Sequence, residues 1–171
     1  MVRCNAMSRS GTVVAISISA SKGVKKDNVA SAVLVTDWGI DGDAHAGSGH
    51  RQISLLAMES IEQMRALGAK VHAGAFAENI TTAGLDLLNI AIGDRIKIGE
   101  AELIITQLGK ECHSRCAIFE AVGDCVMPRE GVFAIVERGG TIRPGDPVVL
   151  TSPVVASTPP DYAPRLFHLL I

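Results

Sequence analysis

The segment GKECHSRC, residues 109–116, places two of the chain's four cysteines among cationic side chains. Lys110, His113 and Arg115 all lie within three residues of Cys112. Neighbouring cations stabilise a thiolate, which is the form of cysteine that attacks electrophiles, accepts sulfur or ligates a metal. The sequence therefore predicts that Cys112 is a reactive thiol, and that the three cations tune it or bind anionic groups beside it.

A zinc site is the alternative use of these cysteines. Cys112, Cys116 and Cys125 with His113 would supply the four Cys or His ligands that tetrahedral zinc takes. The spacing disfavours zinc, because structural sites usually pair their ligands in two separate knuckles, whereas here one C-x3-C is followed by a single cysteine. No zinc is expected, and Cys116 and Cys125 are interpreted as small buried apolar residues.

The glycine-rich loop GIDGDAHAG, residues 39–47, is the second candidate region. Asp41 and Asp43 would suit a cation, and His45 would suit an acid or base. The loop lacks the spacing of a calcium loop, and aspartates in such turns usually bond their own backbone. Arg51 follows, and it either extends to solvent at a rim or binds an oxyanion in bidentate fashion. Both interpretations of the loop and of Arg51 stay open.

Composition and charge exclude several classes of protein. A chain of 171 residues with 47% hydrophobic residues suits one domain with a proper core. The net charge of −2 provides no basic field for nucleic acid, and no apolar run reaches the roughly 20 residues that span a membrane. Four cysteines in a chain of this size do not suggest a disulfide-stapled secreted protein, so a reduced cytoplasmic location is expected.

The elements that position these residues are predicted to be mostly strands. Residues 11–20 alternate Val14, Ile16 and Ile18 with smaller residues, which favours a half-buried strand over a signal peptide. One clear helix is predicted at 55–67, with Gly68 ending it. Further strands are predicted at 31–36, 85–90, 95–98, 102–107, 132–136 and 148–150, separated by glycine and proline turns, and a short helix is predicted at 116–122. The fold class is therefore mostly β with a few helices, and a closed barrel would remove the exposed strand edges.

Four blocks of the sequence together resemble the MOSC domain, the family named for the C-terminal domain of molybdenum cofactor sulfurase. They are GIDGDAHAG at 39–47, HRQISLL at 50–56, FAENIT at 76–81, and the run from Ile92 through QLGKECHSRC to PREGVFAIVERGG. The resemblance covers residues 11–150 and is to the small, stand-alone bacterial members. It implies a single β-barrel-centred domain at 11–150, between an N-terminal extension at 1–10 and a proline-rich tail at 151–171. Whether the protein starts at Met1 or Met7 stays open.

The resemblance implies that the family cysteine is Cys112. The family is thought to carry sulfur as a cysteine persulfide received from pyridoxal-phosphate-dependent desulfurases. Some members bind molybdenum cofactor, with the cysteine as a molybdenum ligand, and reduce N-hydroxylated compounds. Many relatives have an arginine and a proline before the cysteine, where this chain has Gly109 and Glu111.

We therefore expect a molybdenum-cofactor-associated protein in which Cys112 carries sulfur or ligates molybdenum, with Arg51, Asp43 and His45 on the opposite wall of its pocket. The alternatives are a complete molybdenum-dependent reductase and a non-catalytic cofactor-binding module, so enzymatic turnover stays open. The expected partners are a cysteine desulfurase or proteins of molybdenum cofactor biosynthesis, and pyridoxal phosphate would belong to the desulfurase. The apolar end of the tail is expected to dock on the domain or on a second subunit.

Overall fold

The computed structural model of the protein describes residues 9–111, 119–120 and 123–151. The helices whose bounds are described are α1 at Met58–Ala66 and α2 at Met127–Glu130. The strands in chain order are β1 Ser10–Ile18, β2 Asp27–Val29, β3 Ala32–Val35, β4 Gly39–Ile40, β5 Ile53–Ala57, β6 Ile80–Ala83, β7 Arg95–Ile98, β8 Ala101–Leu108, β9 Val132–Arg138, β10 Gly140–Ile142 and β11 Pro147–Thr151. The predicted fold class, mostly β around a barrel, is confirmed.

Seven of the strands close into a barrel. Their order is β11-β7-β8-β9-β5-β6-β1, and β1 then pairs with β11 to complete the ring. The β5–β6 pairing is parallel and the other six pairings of the ring are antiparallel. Closure pairs the main-chain groups that an open sheet would leave exposed at its edges. Short strand β2 extends the sheet beside β1.

Two apolar cores explain why β5 is buried along its whole length. Ile53 and Leu55 face the core shared by the seven barrel strands, and Leu56 faces a second core beneath α1. Ile61 and Met64 of α1 fill that second core. A small sheet of order β10-β3-β4 packs on the barrel and contributes further residues to the first core.

The predicted helix at 55–67 starts too early. Residues 55–57 belong to β5, and the helix begins at Met58. Leu55 and Ala57 face the barrel core while Leu56 faces the helix, so both faces of this strand are buried and all three residues are apolar. A continuous apolar run lacks the alternation that marks a strand, and the sequence pattern therefore favours a helix here. Gly68 does end the helix as predicted, with φ +94 and its N–H donating to Arg65 O.

The first strand is confirmed, but its predicted burial pattern is wrong at Val14, Ala15 and Ser17. Val14 is exposed, whereas Val13, Ala15 and Ile16 are buried. The pairing of β1 with β6 shifts register between Val13 and Ala15, which marks a bulge. An extra residue in a strand changes which face the following side chains take, so strict alternation fails there.

The predicted strand at 85–90 is wrong. The segment is a turn that contains a 3-10 helix at Leu87–Asn89. Asn89 donates a side-chain hydrogen bond to Asp86, and such local bonds compete with strand pairing. The predicted strands at 31–36, 95–98, 102–107, 132–136 and 148–150 are present, with no end shifted by more than two residues. The predicted helix at 116–122 lies largely outside the described residues.

Among the described residues, no helix is long and apolar enough to cross a membrane.

Candidate functional site

A cavity of about 500 Å³ opens beside the barrel where several predicted blocks meet. Cavities of roughly 300–1,000 Å³ are typical of sites for small ligands. Cationic or protonatable side chains line it from three separate segments of the chain: Lys22, His45, His50, Arg51 and Lys110. None of the described lining residues is Asp or Glu. The cavity is therefore suited to an anionic ligand.

Three of the predicted site residues, His45, Arg51 and Lys110, line this cavity. Asp43 was expected on the same wall, but its side chain is 1% exposed and it lies beneath the wall as a buried carboxylate. Cys112, His113 and Arg115 lie outside the described residues. Lys110 is only two residues before Cys112, so the chain leads from the cavity towards the predicted thiol.

A buried ion pair supports the His45 side of the cavity. Lys26 Nζ lies 2.5 Å from Asp43 Oδ1, and both side chains are 1% exposed. Asp43 also accepts hydrogen bonds from the main-chain N–H groups of Ser19 (3.1 Å) and His45 (3.0 Å). Burial alone would raise the pKa of the Asp43 carboxyl, but the Lys26 ammonium and the main-chain N–H of His45 donate to the carboxylate and hold that pKa well below its ordinary value. Asp43 is therefore a carboxylate at neutral pH.

Burial changes the pKa of Lys26, the partner of Asp43, in the opposite direction. Desolvation lowers the pKa of the Lys26 ammonium, against the hydrogen bond and charge of Asp43, which raise it. The contact with a carboxylate at 2.5 Å favours the charged form of Lys26. The sequence allowed two roles for Asp43, binding a cation or accepting backbone hydrogen bonds. Its carboxylate accepts hydrogen bonds from two main-chain N–H groups and pairs with the ammonium group of Lys26.

Glu78 shapes the turn that forms the floor of the cavity. Its carboxyl group accepts hydrogen bonds from the N–H groups of Gly74 and Phe76 and from the Thr81 hydroxyl. Ala77, which lines the cavity, has φ +63, a conformation that is strained for a residue with a side chain. Burial raises the pKa of Glu78 despite these hydrogen bonds. The Glu78 carboxyl group therefore caps this turn.

Asn79 holds the adjoining strand in register. Its Oδ1 accepts from both the N–H and the hydroxyl of Ser54, and its Nδ2 donates to Ser17 O. Asn79 and Ser54 are buried, yet both contribute to the cavity lining. These bonds join β1 and β5 at the cavity, so the lining is a rigid part of the barrel.

A chain of side-chain hydrogen bonds links the HRQISLL block to the segment before Cys112. His50 Nε2 lies 2.8 Å from Gln107 Oε1, and Gln107 Nε2 donates to Gly109 O at 2.7 Å. Because the amide oxygen only accepts, His50 Nε2 is the donor in this pair. Gln107 therefore holds the main chain at Gly109, three residues before Cys112.

Gly109 allows the segment to leave β8 close to α2. It has φ +64, and a Cβ built there would lie 2.4 Å from Pro128 O. Its N–H donates to Gly131 O at 2.6 Å. The absence of a side chain at Gly109 lets the backbone approach the main chain of α2. A residue with a side chain would need a different backbone path at this position.

Arg51 lies over an aromatic ring. Its guanidinium carbon is 5.9 Å from the centroid of Phe133, and the side chain is exposed at the cavity. No ion pair joins Arg51 to an acidic residue within the described ranges. A guanidinium stacked on one face keeps its N–H donors available at its edges. The N–H groups of Arg51 are thus placed at the cavity, and the choice between its oxyanion and rim interpretations stays a prediction.

Cys125 is buried, at 8% exposure, in the second core with Phe76 and Met127. This confirms its interpretation as a small apolar core residue. Cys116 lies outside the described residues.

Comparisons with known proteins identify a family and a fold for this chain. The model of the MOSC domain matches residues 42–149. No curated protein sequence matches the chain significantly. Among solved structures, the YuaD protein from Bacillus subtilis has a TM-score of 0.69 at 20% identity, covering 84% of this chain and 96% of that one. YiiM from Escherichia coli has a TM-score of 0.63 at 22% identity, covering 87% of this chain and 73% of that one. YiiM from Geobacillus stearothermophilus has a TM-score of 0.59 at 22% identity, covering 83% and 73%. These structural likenesses concern the fold.

Proposed function

Because the chain belongs to the MOSC domain family, which is associated with proteins of the molybdenum cofactor sulfurase type, we propose that Cys112 is a reactive thiol that carries sulfur or ligates molybdenum cofactor. The observation that supports this most is the cationic cavity. It gathers Lys22, His45, Arg51 and Lys110 from distant parts of the chain, and Lys110 leads directly to Cys112.

As a sulfur carrier, Cys112 would take the outer sulfur of a persulfide on a cysteine desulfurase. The Cys112 thiolate attacks that sulfur, a new S–S bond forms, the donor's S–S bond breaks, and the donor cysteine leaves as a thiolate. No external oxidant is needed, because the sulfane sulfur is already at the required oxidation level. Nearby cations such as Lys110 favour both the attacking thiolate and the resulting persulfide anion.

The residues of the cavity also fit molybdenum cofactor, an anionic phosphorylated pterin. The cavity has the volume of a small-ligand site, its charged lining is cationic, and Asn79 and Ser54 add neutral polar groups. Arg51 and Lys110 would hold the anionic groups, and Cys112 would supply a thiolate ligand. When bound, the cofactor would supply two-electron redox chemistry at molybdenum.

Sulfur loading of purified protein tests the proposal. The protein is incubated with a cysteine desulfurase and free cysteine, and cyanide-labile sulfur on the chain is then measured. The wild type and a Cys125→Ala variant should load sulfur equally, because Cys125 is a buried core residue that does not itself line the cavity. A Cys112→Ser variant should load none.

Two further outcomes separate the proposal from its competitors. A Lys110→Met variant should load more slowly than the wild type, with the difference shrinking as pH rises and the thiol ionises without help. A Cys112→Ser variant that loads sulfur normally would refute the assignment of the reactive thiol.

A further inference from the structure

Lys26 is a buried lysine that the proposed function does not use. Its side chain is 1% exposed, which is rare for lysine because the ammonium group loses its hydration. Its Nζ contacts two groups, Asp43 Oδ1 at 2.5 Å and His45 Nδ1 at 3.1 Å. His45 in turn lines the cavity. Lys26 is therefore placed to act on the cavity through the imidazole ring of His45.

The contact between Lys26 and His45 determines which ring nitrogen carries the proton. An ammonium group has three N–H donors and no acceptor, so Nδ1 of His45 must accept the hydrogen bond. The competing partner of Nδ1 is Asp43 Oδ2, which at 3.6 Å is beyond hydrogen-bond distance. A neutral His45 that accepts at Nδ1 carries its proton on Nε2.

The Nε2 edge of the ring faces away from these buried partners. Nδ1 is turned towards a lysine that is almost fully buried, while the His45 side chain as a whole is 36% exposed. The exposed part is thus the opposite edge of the ring. Within the described ranges, Nε2 of His45 has no hydrogen-bond partner.

Asp43 fixes both parts of this arrangement. One carboxylate oxygen binds the Lys26 ammonium and the Ser19 N–H, and the other accepts the main-chain N–H of His45. The backbone of His45 and the lysine that holds its ring are therefore tied to the same buried group. Such support keeps a side chain in one geometry without contact between the support and the ligand.

We propose that Lys26 and Asp43 are positioning residues that hold His45 with Nε2–H directed into the cavity, as a hydrogen-bond donor to an anionic oxygen of the ligand. The identity of that ligand rests on the proposed function, whereas the tautomer is a property of the protein alone. His45 then complements the cations of Arg51 and Lys110 with a directional donor that needs no charge of its own.

The tautomer is tested by long-range nitrogen–proton NMR correlation on protein labelled with nitrogen-15, at a pH where the ring is neutral. His45 should show the Nε2–H pattern in the wild type. In a Lys26→Met variant, the signal should shift towards a mixture of tautomers. A Lys25→Met variant removes the same charge from the exposed neighbouring position and should keep the wild-type pattern. If Lys26→Met does not fold, the wild-type spectrum alone decides, since an Nδ1–H tautomer or an even mixture there overturns the proposal.

The donor role is tested with inorganic phosphate as the probe, by following amide shifts during titration. A Gln side chain at position 45 places a donor near the position of Nε2, and an Asn side chain places one near Nδ1. His45→Gln should keep phosphate affinity close to that of the wild type, while His45→Asn should lose about tenfold, the worth of one hydrogen bond to a charged group. Equal affinities of the two variants would overturn the donor role. The tautomer and phosphate affinity are measured without sulfur or cofactor on the protein, so failure of sulfur loading and failure of this inference are distinguishable.

Discussion

Replacing Lys26 with Met should destabilise the fold far more than any replacement of an exposed lysine. The side chains of Lys26 and Asp43 are each 1% exposed, so the change leaves a buried carboxylate without its counter-ion. Removing one partner of a buried pair costs roughly 3–5 kcal/mol. The lower end applies here, since Asp43 keeps hydrogen bonds from the Ser19 and His45 N–H groups. We expect a loss of about 3 kcal/mol in the free energy of unfolding for Lys26→Met.

Asp43→Ala should lower the free energy of unfolding more than Lys26→Met does, because Asp43 has more hydrogen-bond partners than Lys26 has. Asp43→Ala leaves the Lys26 ammonium without its counter-ion and two main-chain N–H groups without an acceptor, and each unpaired buried group adds roughly 1–3 kcal/mol. We expect about 5 kcal/mol in total. Lys25→Met is the matched control, because Lys25 is exposed and its replacement should change stability by no more than about 0.5 kcal/mol.

Guanidinium unfolding followed by circular dichroism provides the assay, with the slope of free energy against denaturant checked for constancy between variants. The double variant Lys26→Met with Asp43→Ala should cost less than the sum of the two single changes, because the second removes a group that the first had left unpaired. The account is refuted if Lys26→Met and Lys25→Met unfold at the same denaturant concentration, or if the two changes at Lys26 and Asp43 are additive.

Two further positions carry separate predictions. Glu78→Ala leaves two main-chain N–H groups and a hydroxyl without their acceptor and should cost about 3 kcal/mol of unfolding free energy, which thermal or chemical unfolding measures. Because burial raises the pKa of Glu78, the stability that this group contributes is fully present below the ordinary carboxyl pKa and is lost as pH rises through the pKa in the folded protein. Glu78→Gln should remove this part of the pH dependence of stability. An unchanged dependence of stability on pH in Glu78→Gln would contradict the raised pKa. Gly109→Ala should cost about 2 kcal/mol or more, since it adds both backbone strain at φ +64 and an overlap with Pro128 O. Gly93→Ala isolates the strain, because Gly93 has φ +93 with open space around it, and an equal cost at both glycines would show that the overlap is relieved without penalty.

Local sequence patterns predicted the strands whose apolar residues alternate between glycine turns, such as β7 and β8. These patterns failed where one apolar segment forms parts of two different elements. The apolar run before α1 divides into a strand with two buried faces and the start of a helix, and only the second core beneath α1 explains that division. Strand β6 was not identified, because the Thr-rich segment Ile80–Ala83 is short and the strands that pair with it, β1 and β5, are not its neighbours in sequence. Barrel closure depends on β1 pairing with β11, a contact between opposite ends of the domain.

The candidate site was predicted in part. Side-chain chemistry singled out His45, Arg51 and Lys110, and the fold brings all three to one cavity. Lys26 was missed, because it follows Lys22 and Lys25 in a polar segment where nothing local distinguishes it from a solvated lysine. Its burial comes from the loop around Asp43, which lies 17 residues further along the chain. A long-range ion pair of this kind has no signature in sequence spacing.

The central claim concerns Cys112, and native mass spectrometry under non-reducing conditions tests it most directly. The protein is purified from a host that makes molybdenum cofactor, and its peptides are mapped around Cys112. We predict either one additional sulfur on Cys112 that reductant removes, or a bound molybdenum pterin, and in both cases its loss in Cys112→Ser but not in Cys125→Ala. Wild type and Cys112→Ser with the same bound sulfur or cofactor would contradict the account.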